Sequence, residues 1–72
     1  MTVIKAAVAL HQAYEKRQQR RNSFYTPRRW EQLDDASQVE HLGIAEAVAH
    51  GKTQYQDKRI PTWVRDVIKE HL

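Results

Sequence analysis

The 72-residue sequence contains no cysteine, which excludes disulfides and thiolate metal sites. A chain of this size is then held together by side-chain packing alone. Cysteine-free composition suits a reducing compartment, so a cytoplasmic location is expected. No apolar run approaches the roughly 18 residues of a membrane span. The start, Met1-Thr2-Val3-Ile4-Lys5 followed by Ala6 to Leu10, carries no small-residue cleavage site, so no signal peptide is expected. Serine is scarce: Ser23 and Ser37 lie outside any G-x-S-x-G turn. With two glycines there is no glycine-rich loop to cradle phosphate. So short a chain has little room for a pocket that excludes water, and an enzyme is not expected.

Alternating polar and apolar runs are also missing, and helical spacing prevails. The reading is all-α: one small domain over residues 1–72, with three helices and a long aromatic connector between the first two. Helices are predicted over about 3–20, 36–50 and 61–72. In the first, Val3, Ala7, Leu10 and Tyr14 form an apolar stripe, with Ile4, Val8 and His11 one step around it. Its end, Lys16-Arg17-Gln18-Gln19-Arg20-Arg21, places cations where the helix dipole favours them.

Phe24, Tyr25 and Trp30 in the connector are expected to lie over the helices and supply much of the core. Asp35 is the predicted N-cap of the second helix, with Gln38 completing a capping box and Leu33 stapling to Val39. The stripe Val39, Leu42, Ile44, Ala45, Val48 and Ala49 ends at Gly51, a left-handed C-terminal residue. Thr53 to Arg59 reads as a turn or a short irregular helix. Pro61 then opens the last helix. Trp30, Leu33, Trp63 and Val67 are the expected core anchors.

Charge is distributed unevenly. Residues 1–29 hold seven cations against Glu15 alone, whereas residues 30–72 hold five basic and eight acidic side chains. Lys16 to Arg29 carries six cations in fourteen residues. Interleaved with Tyr25 and Trp30, they could contact phosphates and stack on bases. A helix-turn-helix match around Ala47 and Gly51 is weak, because Lys52, Asp57 and Lys58 stand where core residues are wanted. His41 and His50, nine residues apart, fall on opposite helix faces, and His11 and His71 lie on other helices. No H-x-x-x-H or histidine–carboxylate spacing suggests a metal, and the histidines are expected at the surface or half-buried. Asp34-Asp35 coincides with a helix start, where negative charge is favoured without any acid–base role. No cofactor is expected.

Ala9-Leu10-His11-Gln12-Ala13-Tyr14, then Arg17, Pro27, Trp30-Glu31-Gln32-Leu33-Asp34-Asp35, Ala45 and Ala49-His50-Gly51, resembles the ryanodine-receptor (RyR) repeat. The likeness is to its abbreviated form in small bacterial and bacteriophage proteins. It covers roughly residues 3–51 and leaves Ile60 to Leu72 outside. The resemblance implies a helical binding fold, a phage setting, no reaction, and fold-determining roles for Tyr14 and Trp30.

The expected function is a phage-type interaction module, monomeric or weakly self-associating. It would dock on a larger host protein complex, RNA polymerase first among the targets to try, and inhibit or regulate it. The expected partner-binding residues are Lys16, Arg17, Arg20, Arg21, Phe24, Tyr25, Arg28 and Arg29. The alternative is a nucleic-acid-binding regulator using the same basic segment, residues 16–29.

Overall fold

A computed structural model describes residues 3–72; Met1 and Thr2 lie outside them. Helices α1 (Val3–Arg21), α2 (Asp35–Ala49) and α3 (Thr62–Glu70) enclose one core. A single 3-10 turn, Trp30–Gln32, interrupts the connector, and a two-stranded hairpin, β1 (Gln54–Tyr55) and β2 (Lys58–Arg59), joins α2 to α3. The three-helix all-α reading holds, with the hairpin as an addition.

The core consists mainly of small residues. Ala6, Ala7, Leu10, Ala45, Ala47, Val48, Ile60, Val64 and Ile68 are buried and mutually packed. Alanines let the helix axes approach closely, and Leu10, Val64 and Ile68 fill the remaining space. Each of those three stabilises the fold by roughly 1.5–3 kcal/mol through removal from water. Trp30 and Trp63 close the core from outside as half-buried lids. Leu33 is buried but lies outside this cluster, against the Trp30 end of the connector, where its N–H donates to the Trp30 carbonyl. Val67 is only half-buried, because Val64 and Ile68 take the inner positions of α3.

Several local expectations need correction. The N-cap of α2 is Asp34 rather than Asp35: Asp34 is extended, and its carboxylate accepts the Ser37 backbone N–H at 3.0 Å. Shifting the cap by one residue dissolves the Asp35–Gln38 box, and Gln38 instead donates to the Trp30 carbonyl at 3.0 Å. Val39 faces outward, at 62% exposure, so no staple to Leu33 forms. In α1, Ile4 is exposed while Ala6 is buried, so the stripe lies slightly to the other side of Val3.

Gly51 ends α2 as expected. It adopts φ +77°, with Gly51 N–H reaching Val48 O and Lys52 N–H reaching Ala47 O, both at 2.9 Å. This is the two-bond closure that satisfies the last carbonyls of a helix. Residues 53–59 form the hairpin rather than a helix. Gln56 and Asp57 both take positive φ, 52° and 64°, the left-handed pair that a two-residue hairpin turn requires. Gly43 in mid-helix lets the Tyr55 ring lie against the backbone of α2; a β-carbon there would fall 2.5 Å from the Tyr55 hydroxyl.

Candidate docking surface

The connector leaves α1 at Asn22, whose carbonyl accepts the Tyr25 N–H at 3.0 Å and whose side-chain oxygen accepts the Phe24 N–H at 3.0 Å. It then folds back along α1 toward a buried carboxylate. Glu15, only 5% exposed, accepts the Tyr25 hydroxyl and, at 3.1 Å, the backbone N–H of Arg28. Its second oxygen meets the Arg28 guanidinium at 3.3 Å. One turn earlier, buried His11 donates from Nε2 to the Arg28 carbonyl at 2.9 Å. A carbonyl only accepts, so that nitrogen carries the proton. The other ring nitrogen faces Glu15 at 3.7 Å.

Burial pushes the Glu15 carboxyl upward. The Tyr25 hydroxyl, the Arg28 N–H, the Arg28 charge and His11 outweigh that effect and leave it below its ordinary value. Tyr25 is correspondingly raised, chiefly by its bond to Glu15. The connector is thus tied to α1 at two successive inward positions, 11 and 15, by polar rather than apolar contacts.

His11, His41, Trp30 and Tyr14 form an aromatic cluster where α1, α2 and the 3-10 turn meet. His41 stands nearly perpendicular to the other three, with ring centroids 5.8–5.9 Å away. Its Nδ1 lies 2.7 Å from the Ser37 carbonyl, while its Nε2 is buried without a partner. Tyr14 also sets an edge against Trp63 at 5.1 Å. Burial raises the Tyr14 hydroxyl, the charge of Glu40 adds to this, and Arg17 opposes it. A cleft of about 370 Å³ opens between α1, the connector and α2, with His11, Glu15, Tyr25, Glu40 and His41 among its walls. Among the described residues, no group of three or more His, Asp or Glu side chains is placed to hold a metal ion.

The expected partner-binding residues separate into two groups. Lys16, Arg17, Arg20, Arg21, Phe24 and Arg29 are exposed, with Phe24 at 93%. The expectation that Phe24 contributes to the core is therefore wrong, since it projects from the turn after α1. Tyr25 is half-buried and bonded to Glu15, and Arg28 is paired with the same carboxylate, although its side chain remains half-exposed. Those two fasten the connector. Arg17 lies over the Trp63 ring at 4.2 Å, linking the basic end of α1 to α3.

The sequence offers no partner for Glu15 and predicts surface or half-buried histidines. His41 is half-buried and His50 and His71 are exposed, as expected, but His11 is buried. The available signal was the position of Glu15, the lone acid among seven cations and only one step from the apolar stripe. Three described helices cover no membrane-spanning length of apolar sequence. Compared with known proteins, the chain matches no family model, no curated protein and no solved structure.

Proposed function

We propose that the chain is a non-catalytic docking module that binds a larger protein through the basic end of α1 and the turn after it, and alters that partner's activity. The observation that supports this is Phe24. A large apolar side chain stands almost fully in water on a turn whose backbone is fixed by Asn22 and whose continuation is tied to Glu15. Exposed Arg20, Arg21 and Arg29 share that segment. An exposed aromatic on a pre-ordered turn, in a segment rich in arginine, has the composition of a protein-binding anchor. Ordering it in advance lowers the entropy cost of association.

Host transcription machinery, RNA polymerase above all, is the first target class to test. That step rests on analogy with small basic phage proteins and on the RyR-like sequence pattern. Nucleic-acid binding is the alternative reading, supported by the cation cluster from Lys16 to Arg21. It is weakened because Tyr25 and Trp30, the rings that would stack on bases, are occupied within the fold.

The test is binding to purified bacterial RNA polymerase, with transcription as readout, alongside capture from nuclease-treated lysate. Wild type is compared with an Arg20/Arg21/Arg29→Ala variant, which leaves the Glu15 node intact. A discrete protein complex retained by wild type and lost by the variant supports docking. Binding only to labelled oligonucleotides, with steep salt dependence, replaces it with the alternative.

A further inference from the structure

The docking reading leaves open which face meets the partner, and α1 carries the answer in its spacing. Val3, Ala7, Leu10, Tyr14, Arg17 and Arg21 recur at alternating steps of four and three, the repeat of a helix-packing seam. In the N-terminal half of α1 this seam is covered: Ala7 and Leu10 are buried in the core, with Val3 against it. Beyond Glu15 every residue from 16 to 24 is exposed, with Arg17 resting on the Trp63 ring. The seam changes from apolar to cationic where the burial stops.

Tyr14 marks the boundary, its ring edge-on to Trp63 and to His41. Arg17, one step on, lies over Trp63. Among the described residues the ion pairs all involve Glu15, with His11 and Arg28, so Arg17 and Arg21 have no carboxylate partner.

We propose that this exposed half-seam, Tyr14, Arg17 and Arg21 with Trp63 beside it and Phe24 at its end, receives an acidic helical segment of another protein. The proposal rests on the docking reading above and names its face and partner class. The three-four spacing fits a helix laid alongside α1 as the bundle's missing neighbour. Two arginines on the seam require carboxylates opposite, since an apolar helix would cover them unpaired. Guanidinium–carboxylate forks supply both energy and register. Trp63 and Phe24 offer an apolar anchor at either side of the charged pair. Phosphate would satisfy the arginines equally well, but Arg17 already occupies a face of Trp63, leaving less ring for a base.

The experiment titrates the wild-type protein with an acetylated, amidated helical peptide of glutamate, alanine and leucine, about 20 residues long and so roughly 30 Å. A glutamine-for-glutamate copy and a thymidine oligonucleotide serve as controls. The readout is the pair of indole N–H resonances, assigned with Trp63→Phe. The glutamate peptide is expected to shift the Trp63 resonance and not that of Trp30. Arg17→Ala/Arg21→Ala is expected to weaken it about tenfold or more, with an unchanged helical spectrum. The glutamine copy is expected not to bind.

Binding of the oligonucleotide without the peptide overturns the proposal, as does no binding of either. Peptide binding that ignores Arg17, Arg21 and Trp63 but is lost in Arg29→Ala also overturns this face, and leaves the docking reading standing. The docking reading itself falls if the Arg20/Arg21/Arg29→Ala variant captures the same partners as wild type, or if oligonucleotides alone are bound.

Discussion

The Tyr25 hydroxyl donates to Glu15 across ten residues of sequence, and this bond fixes the course of the connector. Glu15 lies in the basic half of the chain yet is buried, with the hydroxyl, the Arg28 N–H and the Arg28 guanidinium filling its lone pairs. Glu15→Ala should therefore loosen the connector and lower stability by about 2 kcal/mol, the cost of leaving polar groups without partners. Amide exchange at Arg28 should accelerate in that variant while α3 stays protected. Equal exchange across the whole chain would show that Glu15 supports the core generally and not the connector.

The same carboxylate sets an acid dependence. Its folded pKa lies below the ordinary 4.5, so its contribution is complete above that value and is lost as pH falls through the folded pKa. Asp34, lowered first by its bond to Ser37, acts in the same direction. Thermal midpoints should decline as pH drops below about 4.5. In Glu15→Gln the decline should be shallower, because one of the two groups no longer titrates. Identical acid profiles for the two proteins would contradict this assignment.

Gly43 and Tyr55 should be coupled. An alanine at 43 gains up to about 1 kcal/mol of helix propensity, but its methyl would fall within 2.6 Å of the Tyr55 hydroxyl oxygen and two ring carbons. Gly43→Ala alone should destabilise by about 1–2 kcal/mol as the ring is displaced. In a Tyr55→Ala background the same change should stabilise. Denaturant midpoints of the four proteins in this cycle decide the matter, and additive effects would mean that the ring yields freely.

Much of this architecture is readable in the sequence, because it rests on local signals. Gly51 after an apolar stripe, Pro61 before Trp63 and the unbroken spacing from Val3 each act within a turn or two. The hairpin escaped because its turn is Gln56-Asp57 rather than asparagine-glycine, and because strands of two residues carry no alternation. The α2 cap was displaced by one residue because Asp34 and Asp35 are equally good caps; the Ser37 N–H selects the first. In the candidate site, the basic segment was visible as charge. Among the described residues, its division into free arginines and a Tyr25–Arg28 pair bonded to one carboxylate depends on Glu15, ten or more residues away, and no local pattern reports such a contact.

That hairpin turn is itself a point of strain. Gln56 and Asp57 hold positive φ without being glycine, a conformation that L-residues with side chains disfavour by roughly 1–2 kcal/mol. Replacing the pair by asparagine-glycine should raise stability by about 0.5–1.5 kcal/mol, or a melting shift of several degrees for a domain of this size. A lower melting temperature would show that the Gln56 or Asp57 side chain makes a contact worth more than the strain it imposes.

Phe24 separates function from fold most cleanly. At 93% exposure it contributes almost nothing to packing, so Phe24→Ala should change stability by no more than about 0.5 kcal/mol. If the turn docks on a protein, the same substitution should weaken partner binding at least about tenfold, as loss of an aromatic anchor does. Arg29→Ala should mainly slow association and reduce its salt dependence, as a peripheral charge does. The two effects are measured independently, by thermal melting and by association and dissociation rates. A Phe24→Ala protein that melts normally and binds normally would remove the aromatic anchor from the docking account and leave only the arginines to carry it.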